Sequence, residues 1–394
     1  MGGARYSPVE MIERLVGFDT TSSKSNLALI DFVERYLRDH GVPARRTANA
    51  EGTKANLFAT LGPQIAGGVV LSGHTDVVPV AGQPWDSDPF RLSERDGRLY
   101  GRGTADMKGF LAVALALVPE FLAAGPKRPI HLALSYDEEV GCLGVSGLIA
   151  DIAAALPPPA MVIIGEPTSM QIATANKGCY VYRTTVTGKE AHSAQPHLGG
   201  NAILAAGDLV HFIGALARER RAAARAADSR FEPPYTTFNV GEIAGGTAHN
   251  IIPRTCSITW QFRPLPGEDP RALAARFDRF AETEALPRLR EFAPEASIVT
   301  EALAAVPPLV PEEDGAAEAL VRALTGANTT TVISFATEGG LFQETGFSTV
   351  VCGPGAIDQA HQPNEYVARA QVEACEAFLR RLCAWAAGGA QRIT

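Results

Sequence analysis

Three stretches of this chain that read as strands end in the same way. Val69-Val70-Leu71 runs into Ser72-Gly73-His74-Thr75-Asp76, Ile130–Tyr136 into Asp137-Glu138-Glu139, and Met161–Ile164 into Gly165-Glu166-Pro167-Thr168. A short apolar run bounded by small and polar residues reads as a buried strand. In an open α/β sheet, ligands collect beyond the carboxyl ends of the strands. Three strands that each deliver an imidazole or a carboxylate at that end predict an α/β fold with a polar centre along one edge of its sheet.

The length of 394 residues suits two domains better than one core. Hydrophobic residues make up 46% and charged residues 20%, a profile of soluble globular proteins. The net charge of −8 argues against the basic surface that a nucleic-acid binder needs. The six cysteines are scattered without a Cys-x-x-Cys pair, so reduced thiols are expected rather than a disulfide framework. Met1–Tyr6 has no apolar signal segment, and the longest apolar run, Phe110–Val118, stops at Pro119 and is too short to span a bilayer. These features predict a cytoplasmic protein without membrane or nucleic-acid partners.

Along the chain, Ser7-Pro8-Val9-Glu10 has the form of a capping box, and Leu29, Ile30, Val33 and Leu37 mark a second helix that ends at His40-Gly41. Small residues in Gly101–Gly109 allow a tight turn that leaves Asp106 near the start of an apolar helix over Phe110–Phe121. From Cys179 the pattern changes to alternating strands (Cys179–Thr187, Thr236–Ile243, Thr255–Phe262 and Ile298–Glu301). Helices over Asn201–Ala227 and after Pro270 are interleaved with them. That β-α-β-β-α-β order predicts an inserted ferredoxin-like α+β domain over 178–303, with 1–177 and 304–394 forming the domain around it. Strands at Thr331–Phe335 and Thr349–Cys352 and a helix over Ala368–Trp385 complete the outer part.

Collected at strand ends are His74, Asp106, Glu139, Glu166 and His361, with Asp76 and Glu138 as immediate neighbours. Two imidazoles and three carboxylates are the ligand types for two zinc-class ions sharing one carboxylate. A carboxylate beside such a pair is suited to act as a general base on water.

At Ser72–Asp76, Gly103–Lys108, Asp137–Glu139, Gly165–Thr168 and His361–Pro363 the sequence resembles the M20 family of metallopeptidases and amidohydrolases. The resemblance implies a three-layer α/β, metallo-exopeptidase-like catalytic domain, with the inserted domain serving as lid and dimerisation module. It implies two divalent ions, Zn2+ with Co2+ as the alternative. His74, Asp106 and Glu166 would hold one, and Asp106, Glu139 and His361 the other. Asp106 is then the bridge, Glu138 the base and Asp76 the partner of the His74 ring. His192 would donate to the developing oxyanion across a homodimer, while Asn250 and Arg263 hold substrate. A planar guanidinium at Arg263 suits a carboxylate.

The carboxyl-terminal segments Ala336–Gln343, Val351–Gly355 and Gln359–Tyr366 most resemble family members that deacetylate N2-acetyl-L-ornithine in arginine biosynthesis. Glu338 is placed to meet a side-chain ammonium in such a substrate. Desuccinylation of succinyl-diaminopimelate, aminoacylase action and cleavage of small dipeptides stay open as alternatives. A metal-free scaffold dimer is a more distant one.

Overall fold

A computed structural model describes residues 3–155, 161–224 and 229–389. The chain divides into two compact units: Met1–Ala175 with Leu309–Ile333 and Thr337–Thr394, and Asn176–Pro308 with Ser334–Ala336. The second unit runs past residue 303 because the strand Ser297–Val306 stays paired with Cys179–Thr187 as far as Val306.

The first unit is built on an eight-stranded sheet. At its centre Val69–His74 lies between Ile130–Ser135 and Met161–Pro167, parallel to both, with Ser348–Gly353 continuing in parallel beyond. The strands Ala55–Leu61 and Ala44–Ala48 extend the sheet antiparallel on one side. All six residues of Val69–His74 and of Ile130–Ser135 are buried, as strands covered on both faces should be. Their carboxyl ends therefore open along one edge.

The helix Pro8–Val16 starts with the expected capping box, Ser7 accepting from Glu10 and Glu10 reaching back to Ser7. The apolar segment expected as one helix over Phe110–Phe121 is two, Lys108–Ala116 and Val118–Ala123. Pro119 explains the break, since it supplies no backbone N–H to continue the ladder and is at home in a first helical turn. The strand expected over Thr331–Phe335 stops at Ile333.

The second unit carries a four-stranded antiparallel sheet in the order Thr237–Gly245, Thr255–Arg263, Cys179–Thr187, Ser297–Val306. The helices Ala202–Ala223 and Pro270–Phe280 cover one face of it, around Trp260, Phe262, Phe277 and Leu209. This is the ferredoxin-like arrangement. The first helix ends at Ala223 in place of Ala227, and residues 225–228 lie outside the described part. No helix among the described residues is long and apolar enough to cross a membrane.

Candidate metal centre

His74 is the last residue of the central strand, which fixes its backbone before the chain leaves the sheet. Its Nδ1 lies 2.9 Å from the backbone oxygen of Asp76. A carbonyl can only accept, so Nδ1 carries a proton, and Nε2 is the atom turned towards Asp106, available to a metal once it gives up its own proton. The Asp76 carboxylate, which the His-x-Asp spacing placed behind the ring, stands 3.6 Å away. It is engaged elsewhere, with Ser22 Oγ donating to Oδ2 at 2.7 Å and the backbone N–H groups of Glu138 and Glu139 donating to Oδ1 and Oδ2 at 3.1 and 3.3 Å.

Asp106 stands between two imidazoles. Its Oδ1 is 2.9 Å from His74 Nε2 and its Oδ2 is 3.3 Å from His361 Nε2. Glu166 Oε1 lies 3.5 Å from the His74 nitrogen, and Glu139 Oε2 lies 2.9 Å from the His361 nitrogen. Two glycines make the approach possible. Gly103 turns the chain towards Asp106 at φ +86°, and a Cβ at Gly165 would stand 2.0 Å from the Phe110 ring, which packs beside the Glu166 strand.

The electrostatics follow from crowding acids out of water. Burial, then the nearby Asp106 charge, pushes Glu139 and Glu166 up to about 7. Glu138 is driven well above the usual carboxyl range, by burial first and by Glu166 second. Burial also opposes charge on Asp106, but hydrogen bonds from His361 and His74 outweigh it and hold this carboxyl below its ordinary value. His361 is raised to about 10 by its bonds to Asp106 and Glu139. A buried cluster of this kind favours added positive charge. Two overlapping groups, His74, Glu138 and Glu166, and His74, Asp106 and Glu139, each bring ligand atoms within 4.8 Å of one another. Imidazole and carboxylate donors at these distances fit divalent ions of the zinc class.

Glu338 opens the short helix Gly339–Glu344 and is only 1% exposed. Ser72 Oγ donates to its Oε2 at 3.4 Å, while Oε1 is buried without a hydrogen-bond partner among the described residues. Burial pushes its carboxyl up to about 7.

The other three expected site residues lie in the second unit. His192 is exposed and bridges Ile251 through its backbone, and Ser193 N–H donates to Asn250 O at 3.1 Å, so the His192 and Asn250 loops meet. His192 Nδ1 accepts from the backbone of Ala194 at 3.0 Å, which leaves Nε2–H as an outward donor. Arg263 ends the strand Thr255–Arg263, opposite Thr237.

Sequence reasoning missed several neighbours of this centre. Cys142 Sγ donates to Glu138 Oε1 at 3.4 Å, Lys108 Nζ donates to Phe18 O at 2.7 Å, and Glu365 accepts from the backbone of Asp106 at 3.1 Å. Glu365 stands inside the Gln359–Tyr366 segment, but nothing local marks a contact with a residue 259 positions earlier.

The profile of peptidase family M20/M25/M40 matches residues 70–384. An acetylornithine deacetylase of Myxococcus xanthus is 37% identical over 395 residues, spanning 96% of this chain and 97% of that one. The acetylornithine deacetylase of Proteus mirabilis (strain HI4320) is 35% identical over 367 residues, spanning 92% and 91%. The M20 family metallo-carboxypeptidase Sso-CP2 from Sulfolobus solfataricus has a TM-score of 0.74 at 17% identity over 97% of this chain and 99% of that one, which shows a shared fold.

Proposed function

The chain belongs to peptidase family M20/M25/M40, and from that premise we propose that it is a metal-dependent amide hydrolase that removes the acetyl group of N2-acetyl-L-ornithine to give L-ornithine and acetate. The observation that carries the chemical part is the Asp106 carboxylate, with His74 at one oxygen, His361 at the other, and Glu166 and Glu139 flanking them. The substrate part is supported by two relatives named for that reaction at 37% and 35% identity.

His74, Asp106 and Glu166 would hold one ion and Asp106, Glu139 and His361 a second, with Zn2+ or Co2+ matching the donors. Bound there, the pair supplies Lewis-acid polarisation of the amide carbonyl and a lowered pKa for water. Glu138 takes the proton of the attacking water and passes it to the departing amine. Asp76 holds the backbone of Glu138 and Glu139, so both carboxylates keep their places. His192 offers Nε2–H to the oxyanion that forms at the carbonyl oxygen. Asn250 and Arg263 hold substrate, Arg263 through the α-carboxylate. Glu338 offers its unpartnered Oε1 to the side-chain ammonium.

The second unit is the dimerisation module of this reading. A groove of about 890 Å³ there is lined by Ile203, Leu204, Ile251 and Phe292, with Leu204 70% exposed, and a second copy of the chain would cover it.

Ninhydrin-detected amine release tests the assignment, with and without Zn2+ or Co2+, on N2-acetyl-L-ornithine, acetylmethionine and succinyl-diaminopimelate. Metal-dependent turnover favouring acetylornithine is expected. Preference for either other amide overturns the substrate, and turnover that survives exhaustive metal removal overturns the chemistry.

A further inference from the structure

Of the proposed ligands, His74 and Glu166 are carried by strands inside the sheet. His361 is not. It lies on a loop with a positive φ of 61°, and its side chain is 52% exposed. A loop imidazole keeps one position only when something else secures the loop.

The loop is tied down along its length. Gln83 Nε2 donates to the backbone oxygen of His361 at 3.0 Å. The backbone N–H of Asp86 donates to Asn364 Oδ1 at 2.9 Å, and Asn364 Nδ2 donates back to Asp86 Oδ2 at 3.0 Å. At the far end of the loop the Glu365 carboxylate is buried. Its Oε1 accepts from Ala105 N–H at 2.9 Å and from Asp106 N–H at 3.1 Å, and its Oε2 accepts from Arg102 Nη1 at 2.7 Å. Arg102 is also buried, and its Nη2 donates to Gln83 Oε1 at 2.6 Å. The chain of bonds closes on itself, running from His361 through Gln83, Arg102 and Glu365 to Asp106.

We propose that Glu365, anchored by Arg102, is a positioning residue that fixes Asp106 and His361 as a pair and thereby secures the metal position those two share. It rests on the two-ion reading above. Among the described residues neither His74 nor Glu166 hydrogen-bonds to Gln83, Arg102 or Glu365. Both positions share Asp106, but only the second also takes its imidazole from the strapped loop, so it depends on the strap more. Outer partners of metal ligands typically govern affinity by about 10- to 100-fold.

The test is stepwise Co2+ titration of the metal-stripped, full-length protein, followed by visible absorption and by metal analysis after dialysis. Wild type is expected to take two ions per chain. Glu365→Gln should bind the first within about 3-fold of wild type and the second about 10- to 100-fold more weakly. Gln83→Leu removes the link between His361 and Arg102 at a half-buried position, and it should weaken the second ion in the same direction. It also carries the test if Glu365→Gln does not fold. Two ions bound by wild type and unchanged second-ion affinity in the folded variants overturn the proposal alone. Equal weakening of both ions does so too, since that marks a merely structural role. Fewer than two ions on wild type overturns the two-ion reading and this proposal with it.

Discussion

The Oδ1 atom of Asp76 accepts the backbone N–H of Glu138 at 3.1 Å. The aspartate that follows His74 thus grips the base proposed for the reaction, while the imidazole is oriented by a carbonyl. Replacing Asp76 by Asn would set an amide NH2 against one of the two backbone N–H groups that the carboxylate now receives. The expected result is a loss of about 10- to 100-fold in kcat with KM little changed. Steady-state kinetics check it, and an unchanged kcat would remove Asp76 from the positioning role.

Glu138→Gln keeps the volume of the side chain but leaves nothing to take a proton. Turnover should fall by about 10²- to 10⁴-fold. Metal content should stay at the wild-type level, because His74, Asp106, Glu139, Glu166 and His361 remain. Elemental analysis beside the assay decides this. Loss of metal and activity together would make Glu138 a ligand, as its place in the His74, Glu138, Glu166 group allows.

Glu338 gives a prediction about selectivity. Its buried Oε1 is offered to an ammonium, so Glu338→Gln should raise KM for N2-acetyl-L-ornithine by about tenfold or more, the worth of one charge-assisted hydrogen bond. The KM for acetylmethionine, which has no ammonium, should change little. Parallel losses on both substrates would assign Glu338 to the metal centre instead.

Acid stability has a marker far from the centre. His131 is buried in the strand Ile130–Ser135, stacks on Phe58 at 5.6 Å, and takes a hydrogen bond from Thr60 Oγ1 on Nδ1 at 2.9 Å. Burial lowers its pKa from 6.5 to about 4. The unfolded chain therefore binds this proton first. Stability is full above pH 6.5 and drains as pH falls towards 4, by at most about 1.4 kcal/mol per unit from this residue. Urea unfolding at pH 7 and pH 5 should show wild type losing about 1–2 kcal/mol more than His131→Gln. Equal losses would mean that the ring is not the group being titrated.

Much of this was legible in the residues because the central strands announce themselves twice. Val69–Leu71 and Met161–Ile164 are apolar without alternation, Ile130–Ser135 departs from that only at His131 and Ser135, and each strand hands over to a residue suited to metal or acid–base chemistry. The capping box at Ser7 was legible for a similar reason, since both of its hydrogen bonds lie within four residues. What sequence could not show was which atom of a residue is used. The pattern His-x-Asp does not say whether the carboxylate or the carbonyl meets the ring, because both are within reach and the sheet decides. Glu365, Arg102 and Gln83 were silent because their meaning lies in contacts made across as many as 278 positions.

The parts of the centre are also dispersed in time. Its proposed ligands run from His74 to His361, and the strand pairing that gathers them joins Met161–Pro167 to Ser348–Gly353. A chain emerging amino terminus first has His74, Asp106, Glu139 and Glu166 long before it has His361, Asn364 and Glu365. Long-range pairing of this kind forms late and slowly. Until that segment is made, four of the five proposed ligands stand without the imidazole that faces Asp106 Oδ2. Completion of the proposed centre therefore waits on the segment that carries His361.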